Sequence, residues 1–260
     1  MCRLAIYLGP EISLGEIMTS PEHSLLQQSW QPRELKYAKL NADGYGFGWF
    51  NNDGQPLRYV FAEPMWSDPN LHDLCKGLES DLWFGFVRSA SEGFGNQAVN
   101  TQPFRDEQLL FMHNGYIERF NETIRIELLH ALPHQLQADI MGTTDSEYLF
   151  ALTRWCRRQY PEYNLTDLLK QVLDWLEPHI DDTKALLNLA VTDGASVAAC
   201  RAAFNDDAPT LYFIADDEEY PEGAQIIVSE PLHQSEFWHP VPEFHMLHLD
   251  RDTPPELIAL

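Results

Sequence analysis

Apolar residues recur along this chain in two rhythms. Short runs, alternating or unbroken, predict β-strands at Leu4–Leu8, Tyr45–Phe50, Leu57–Phe61, Leu82–Val87 and Leu109–His113. More follow at Leu186–Val191, Val197–Arg201, Thr210–Ile214, Gln225–Val228 and Phe244–Leu249. A helical period covers Pro21–Ser29, the stretch near Asn70–Leu78, and Ile117–Leu129. Two longer helices are predicted from about Thr144 to Arg158 and from about Leu165 to Glu177, with Thr144 or Asp145 as N-cap of the first and Glu147 close behind. Strands thus surround a middle block of helices without regular β–α alternation. That order argues against a doubly wound parallel sheet and for an α+β fold, two sheets face to face with helices outside. No internal repeat or low-complexity linker divides the 260 residues, so one domain, 1–260, is expected.

Composition changes this picture in one respect. The hydrophobic share of 44% is ordinary, but the formal charge of −23 is not. Such a surface repels phosphate backbones and anionic lipids, which argues against nucleic-acid and membrane partners. Acidic residues gather in places such as Asp216–Gly223, which reads as a solvated loop. The apolar stretch after Arg3 is too short for a secretory signal, and no run approaches a membrane span. Cys2, Cys75, Cys156 and Cys200 are widely spaced and form no CxxC, as expected of a cytoplasmic protein with free thiols.

Several stretches could carry chemistry. In NADGYGFGWF, Asn41–Phe50, glycine alternates with aromatics. On a strand this leaves one face bare and puts Tyr45, Phe47 and Trp49 on the other, so another element or a ligand can approach closely. The spacing and the missing βαβ context disfavour phosphate binding. In FGFVRSAS, Phe84–Ser91, a buried strand ends in Arg88, which suits either a structural ion pair or a clamp for a ligand carboxylate. In FMHNGYI, Phe111–Ile117, Asn114–Gly115 reads as a hairpin turn, or as an amide and a backbone N–H converging on an oxyanion. In GTTDSEYLF, Gly142–Phe150, Asp145 is a helix cap or a carboxylate for an ammonium group. His233, His239, His245 and His248 lack ligand-type spacing, and no metal site is expected.

Taken in order, MC, NADGYGFGW, VRSAS, HNG and TTDSE resemble the class II glutamine amidotransferases, members of the N-terminal nucleophile hydrolases. HSLLQQSWQPRE (His23–Glu34), TQPF (Thr101–Phe104), LNLAVTDG (Leu187–Gly194) and VSEPL (Val228–Leu232) are similar to the branch that hydrolyses γ-glutamyl hercynylcysteine sulfoxide in ergothioneine biosynthesis. MCRL in place of MCG, and LNAD (Leu40–Asp43) in place of an arginine-glycine pair before the aspartate, depart from the wider family and match that branch. The resemblance implies a four-layer αββα sandwich of two antiparallel sheets flanked by helices. It implies Met1 removal, mature Cys2 as nucleophile, and Asn114 and Gly115 as oxyanion hole. It also implies Arg88 and Asp145 around a glutamyl carboxylate and ammonium, with His113 beside them.

An N-terminal cysteine suits this reaction because its free α-amine, with a reference pKa of about 7.7–8.0, can exchange a proton with the thiol near neutrality. No cofactor is expected. The expected activity is hydrolysis of a small γ-glutamyl amide through a thioester, releasing glutamate. A glutaminase subunit supplying ammonia to a separate synthase, and a catalytically silent binding relative, are the alternatives. A homo-oligomer or a pathway-enzyme partner is left open. Trp30, Trp66 and Trp238 are candidates for the wall facing the leaving amine.

Overall fold

The computed structural model describes residues 2–34, 40–90 and 95–260. Met1, on which the expected trimming turns, and Ser91 of VRSAS lie outside them.

The chain opens with β1 (Arg3–Ser13), then the short helices α1 (Gly15–Met18) and α2 (Leu25–Trp30). The strands β2 (Tyr45–Phe50) and β3 (Pro56–Phe61), the helix α3 (Leu71–Gly77) and β4 (Glu79–Val87) follow. After β5 (Phe104–Arg105) and β6 (Leu110–Ile117) come four helices: α4 (Ile124–Ala131), α5 (His134–Ala138), α6 (Asp145–Gln159) and α7 (Leu165–Leu176). The rest is strand: β7 (Ala185–Thr192), β8 (Ser196–Phe204), β9 (Tyr212–Ala215), β10 (Gln225–Val228), β11 (His239–Pro240), β12 (His245–Asp250) and β13 (Thr253–Ala259).

These strands form two antiparallel sheets. One runs β11-β9-β10-β1-β4-β2-β3, the other β13-β12-β8-β7-β6-β5. Alternation assigns the faces. Leu4, Ile6 and Leu8 of β1 pack between the sheets against Leu110, Met112, Ala199 and Leu247. Ala5 and Tyr7 face outward and are covered by α1 to α3 through Ile17, Met18, Leu25 and Leu71. Phe111, Ile117, Leu187 and Leu189 face outward from the second sheet, beneath Leu149, Leu152, Leu168 and Val172 of α6 and α7. The result is the expected αββα order of layers.

The bare face of β2 is filled by protein. A Cβ on Gly46 would strike the carbonyl of Gln102, and one on Gly48 would lie 2.9 Å from Leu110 and 3.0 Å from Pro103. TQPF therefore packs on the glycines, with a cis Gln102–Pro103 peptide bond. Tyr45, Phe47 and Trp49 take the opposite face, where Phe47 stacks on Tyr59 at 5.2 Å.

Three sequence expectations are corrected. Asn114–Gly115 is no turn: β6 runs on to Ile117, with Asn114 opposite Asn188 and Gly115 opposite Leu187 on β7. The predicted helix from Ile117 begins only at Ile124, because Ile117 still belongs to that ladder. β13 was not predicted, since its two prolines demote a strand; it lies at a sheet edge, where a missing N–H can be tolerated.

Candidate active site

Cys2 sits at the start of β1, between the central strands of its sheet, and keeps 9% of its surface exposed. Its sulfur contacts the main chain of Ser89: the Ser89 N–H donates to Sγ at 3.4 Å, and Sγ lies 3.5 Å from the Ser89 carbonyl. Burial pushes the thiol pKa up, while the Ser89 amide, Arg88 and Arg3 pull the other way.

Arg88 leaves β4 on the same inner face and is buried. Its Nη1 donates to the carbonyls of Asp43, at 3.2 Å, and Gly95, at 3.4 Å. Burial lowers its pKa; the negative charges that counter this are Cys2, Asp43 and Asp145. No carboxylate pairs directly with it among the described residues. The guanidinium is thus aimed into the site and held by carbonyls. The NADG segment wraps the same corner: Asp43 N–H donates to the Arg88 carbonyl, Arg88 N–H to the Gly44 carbonyl, and the Asp43 carboxylate accepts from Ala90 N–H at 2.7 Å. Gly44 turns this corner with φ of 120°, a conformation side chains disfavour.

Asn114 shares its face of β6 with Leu110 and Met112, so its amide points between the sheets, toward the layer holding Cys2. Nδ2 lies 3.0 Å from Ser229 Oγ; Oδ1 is buried with no partner among the described residues. Gly115 lies on the other face, where a Cβ would collide with the Leu186 carbonyl and His113 Nε2. His113 fills that space. Its Nε2 donates to Leu186 O at 2.8 Å and its Nδ1 lies 2.9 Å from Ser146 Oγ. The His113 ring therefore braces Gly115 from behind, and both its nitrogens are occupied. Gln102 holds the same residue's backbone from both sides, at 2.6 and 2.9 Å.

Asp145 is the first residue of α6, but the cap is Thr144, whose side chain accepts from Glu147 N–H. The Asp145 carboxylate instead ties helix to sheet, accepting from Ile117 N–H at 2.8 Å and Ser146 N–H at 2.7 Å. It remains partly exposed and within electrostatic reach of Arg88.

The structure adds residues that the sequence reading passed over. Glu230, just past β10, accepts from Arg3 Nε at 2.5 Å, from His23 Nε2 at 2.8 Å, and from the Arg33 and Glu34 amides at 2.8 and 3.0 Å. Arg3 Nη1 donates in turn to the Cys2 carbonyl at 2.8 Å. A buried carboxylate survives only with such partners. The sequence held a signal: Glu230 follows the apolar run QIIVS as Arg88 follows FGFV, each a charge at the end of a buried strand. Trp30 and Trp66 pack edge to face at 5.7 Å and stay 40% and 44% exposed, while Trp238 packs by His233. Cys75, Cys156 and Cys200 are free thiols buried as apolar residues. Among the described residues no helix is long and apolar enough to cross a membrane.

The two facing antiparallel sheets with their outer helices form the fold of N-terminal nucleophile amidotransferases. A protein described as a glutamine aminotransferase class-II domain protein, from Silicibacter pomeroyi, shares it across the full length of both chains, with a TM-score of 0.69 at 22% identity. The profile of the class-II glutamine amidotransferases matches residues 16–254. The probable glutamine amidotransferase DUG3 of Saccharomyces cerevisiae is 32% identical over 244 residues, 82% of this chain and 67% of the relative. A γ-glutamyl-hercynylcysteine sulfoxide hydrolase of Mycolicibacterium smegmatis is 28% identical over 252 residues, 95% of either chain. The chain belongs to the class II glutamine amidotransferases.

Proposed function

We propose that this protein hydrolyses a γ-glutamyl amide, using Cys2 as an N-terminal nucleophile after loss of Met1. The observation that carries the reading is the junction of Cys2 with Arg88 and Ser89: the thiol rests on the main chain of the residue after the guanidinium. A nucleophile resting against the residue that follows an anion clamp suits a substrate whose carbonyl and carboxylate lie a few bonds apart.

In this reading Arg88 grips the α-carboxylate and Asp145 the α-ammonium, with His113 positioning Gly115. The freed α-amine accepts the thiol proton, and the sulfur attacks the γ-carbonyl carbon. Asn114 and the Gly115 N–H receive the oxyanion. The C–N bond then breaks, the amine leaves with the proton held by the α-ammonium, and water hydrolyses the thioester to glutamate. Burial holds the thiol above its ordinary pKa, so the freed α-amine has to take its proton for the sulfur to attack.

The sulfoxide of γ-glutamyl hercynylcysteine is the proposed substrate. Support comes from the mycobacterial relative that matches nearly end to end. The test is glutamate release by purified protein from that conjugate and from glutamine. A kcat/KM ratio of at least about 100 for the conjugate is expected, which corresponds to about 2.7 kcal/mol of discrimination. Equal use of glutamine would overturn the assignment. The yeast relative favours a second reading, a glutaminase serving a separate enzyme. Glutamine turnover that rises only with a co-purifying synthase would establish it.

A further inference from the structure

Ser229 gathers three bonds at one point. Its N–H donates to the Leu4 carbonyl at 3.0 Å, the Leu4 N–H donates to Ser229 Oγ at 3.0 Å, and Asn114 Nδ2 stands 3.0 Å from the same oxygen. Leu4 lies two residues from Cys2, so one hydroxyl joins the nucleophile strand to the carboxamide across the space between the sheets.

The hydrogen count in this arrangement does not balance. A serine hydroxyl has one proton to give and two lone pairs. Here Oγ receives two N–H groups, and its own proton has no acceptor among the described residues. Beside it the Asn114 Oδ1 is buried without a donor among the described residues. Leaving a buried acceptor unpaired costs its full desolvation. Turning the carboxamide by 180° exchanges Oδ1 and Nδ2 without changing its shape. The Ser229 proton then meets Oδ1, Leu4 still donates to Oγ, and both deficits vanish. The NH2 group then takes the place of the orphaned oxygen, which has no bonded partner among the described residues. A carbonyl oxygen turning into an oxyanion is an acceptor for that group.

We propose that Ser229 is a positioning residue for catalysis: its hydroxyl donates to Asn114 Oδ1 and so fixes Nδ2 toward the oxyanion. The inference rests on the amidohydrolase reading and assigns the second residue of VSEPL a task. In β6, Asn114 cannot be oriented by its own backbone ladder, which uses main-chain groups alone; an external donor must select the amide face.

The test compares Ser229→Ala with wild type in steady-state hydrolysis of the γ-glutamyl substrate. Removing an oxyanion donor costs on the order of 10²–10³ in kcat. Releasing the amide between two faces should cost somewhat less, about 10–100-fold in kcat, with KM held within about twofold. Ser229→Thr, which keeps the hydroxyl, should recover most of the rate. The decisive arm is the Asn114→Ala background, where adding Ser229→Ala should change kcat by less than about twofold, because the partner it orients is gone. An equal loss in both backgrounds would overturn the proposal and assign the effect to Leu4, as would an unchanged kcat in Ser229→Ala. If Ser229→Ala does not fold, Ser229→Cys, a weak donor of similar size, carries the same comparison. A wild-type protein that releases no glutamate would defeat the amidohydrolase reading itself; an active wild type with an indifferent Ser229 would defeat this inference alone.

Discussion

Arg3 and Glu230 meet at 2.5 Å, through Nε and Oε1, and neither side chain reaches solvent. Burial would raise the Glu230 pKa, but the His23 bond, the Arg3 charge and the Arg33 and Glu34 amides outweigh it and bring the carboxyl to about 2, against an ordinary 4.5. A depressed folded-state pKa contributes stability that is fully present above the unfolded value and is lost as pH falls through the window from 4.5 to 2. The unfolding free energy should therefore drop over that window, by about 3 kcal/mol from this group. Asp68, whose carboxyl is also lowered by its bonds to Tyr59, Asn70 and Tyr45 against the raising effect of burial, adds to the same slope. Glu230→Gln leaves Arg3 buried without its counter-charge, so it should cost about 3 kcal/mol at pH 7 and flatten the acid limb. A variant with wild-type midpoint and slope would refute this account of the network.

Cys2→Ala removes the proposed nucleophile and one partner of Ser89. It should reduce glutamate release to background while shifting the unfolding midpoint by no more than about 1 kcal/mol, since the sulfur is a small buried group. Incubation of the wild type with a glutamine-like electrophile should label one thiol in the intact mass, and the variant should stay unlabelled. Labelling of Cys75, Cys156 or Cys200 instead would contradict their burial.

Arg88→Lys keeps a charge but loses the planar fork. A bidentate carboxylate contact should become a single one, raising KM by about 10–100-fold, the equivalent of about 1.5–3 kcal/mol for a charged hydrogen bond. An unchanged KM with a lowered kcat would mean that Arg88 acts on the thiol rather than on the substrate.

Gly46→Ala and Gly77→Ala make a matched pair. A methyl at Gly46 meets the Gln102 carbonyl, the Tyr59 carbonyl at 2.9 Å and Val60 at 3.0 Å, whereas nothing lies within 4 Å at Gly77 in α3. Gly46→Ala should destabilise by about 1–3 kcal/mol or more. Gly77→Ala should be neutral or stabilise by up to about 1 kcal/mol, as expected in a helix. Thermal unfolding of the two variants distinguishes a packed β2 face from an open one.

Much of this was legible in the chain. The run YGFGWF announced a strand with one bare face, because a period of two is unambiguous when the alternating residue is glycine; what covered that face depended on TQPF, more than 50 residues away. Arg88 stood out as a charge closing an apolar run. Asn114–Gly115 misled, since local turn chemistry favours a hairpin there, whereas pairing with β7 and the His113 ring behind Gly115 keep the strand extended. The resemblance places His113 beside the substrate; its ring lies behind the sheet, with both nitrogens engaged. Nothing local in VSEPL gives Ser229 and Glu230 a role, because their partners Leu4, Asn114 and Arg3 are separated from them by at least 115 positions.

β1 lies between β4 and β10, and its second neighbour ends at Val228. During synthesis the first strand must therefore wait, half-paired, until almost nine-tenths of the polypeptide has left the ribosome. The late arrival of Ser229 and Glu230 acts as a clasp that closes on the first strand only when synthesis is nearly complete.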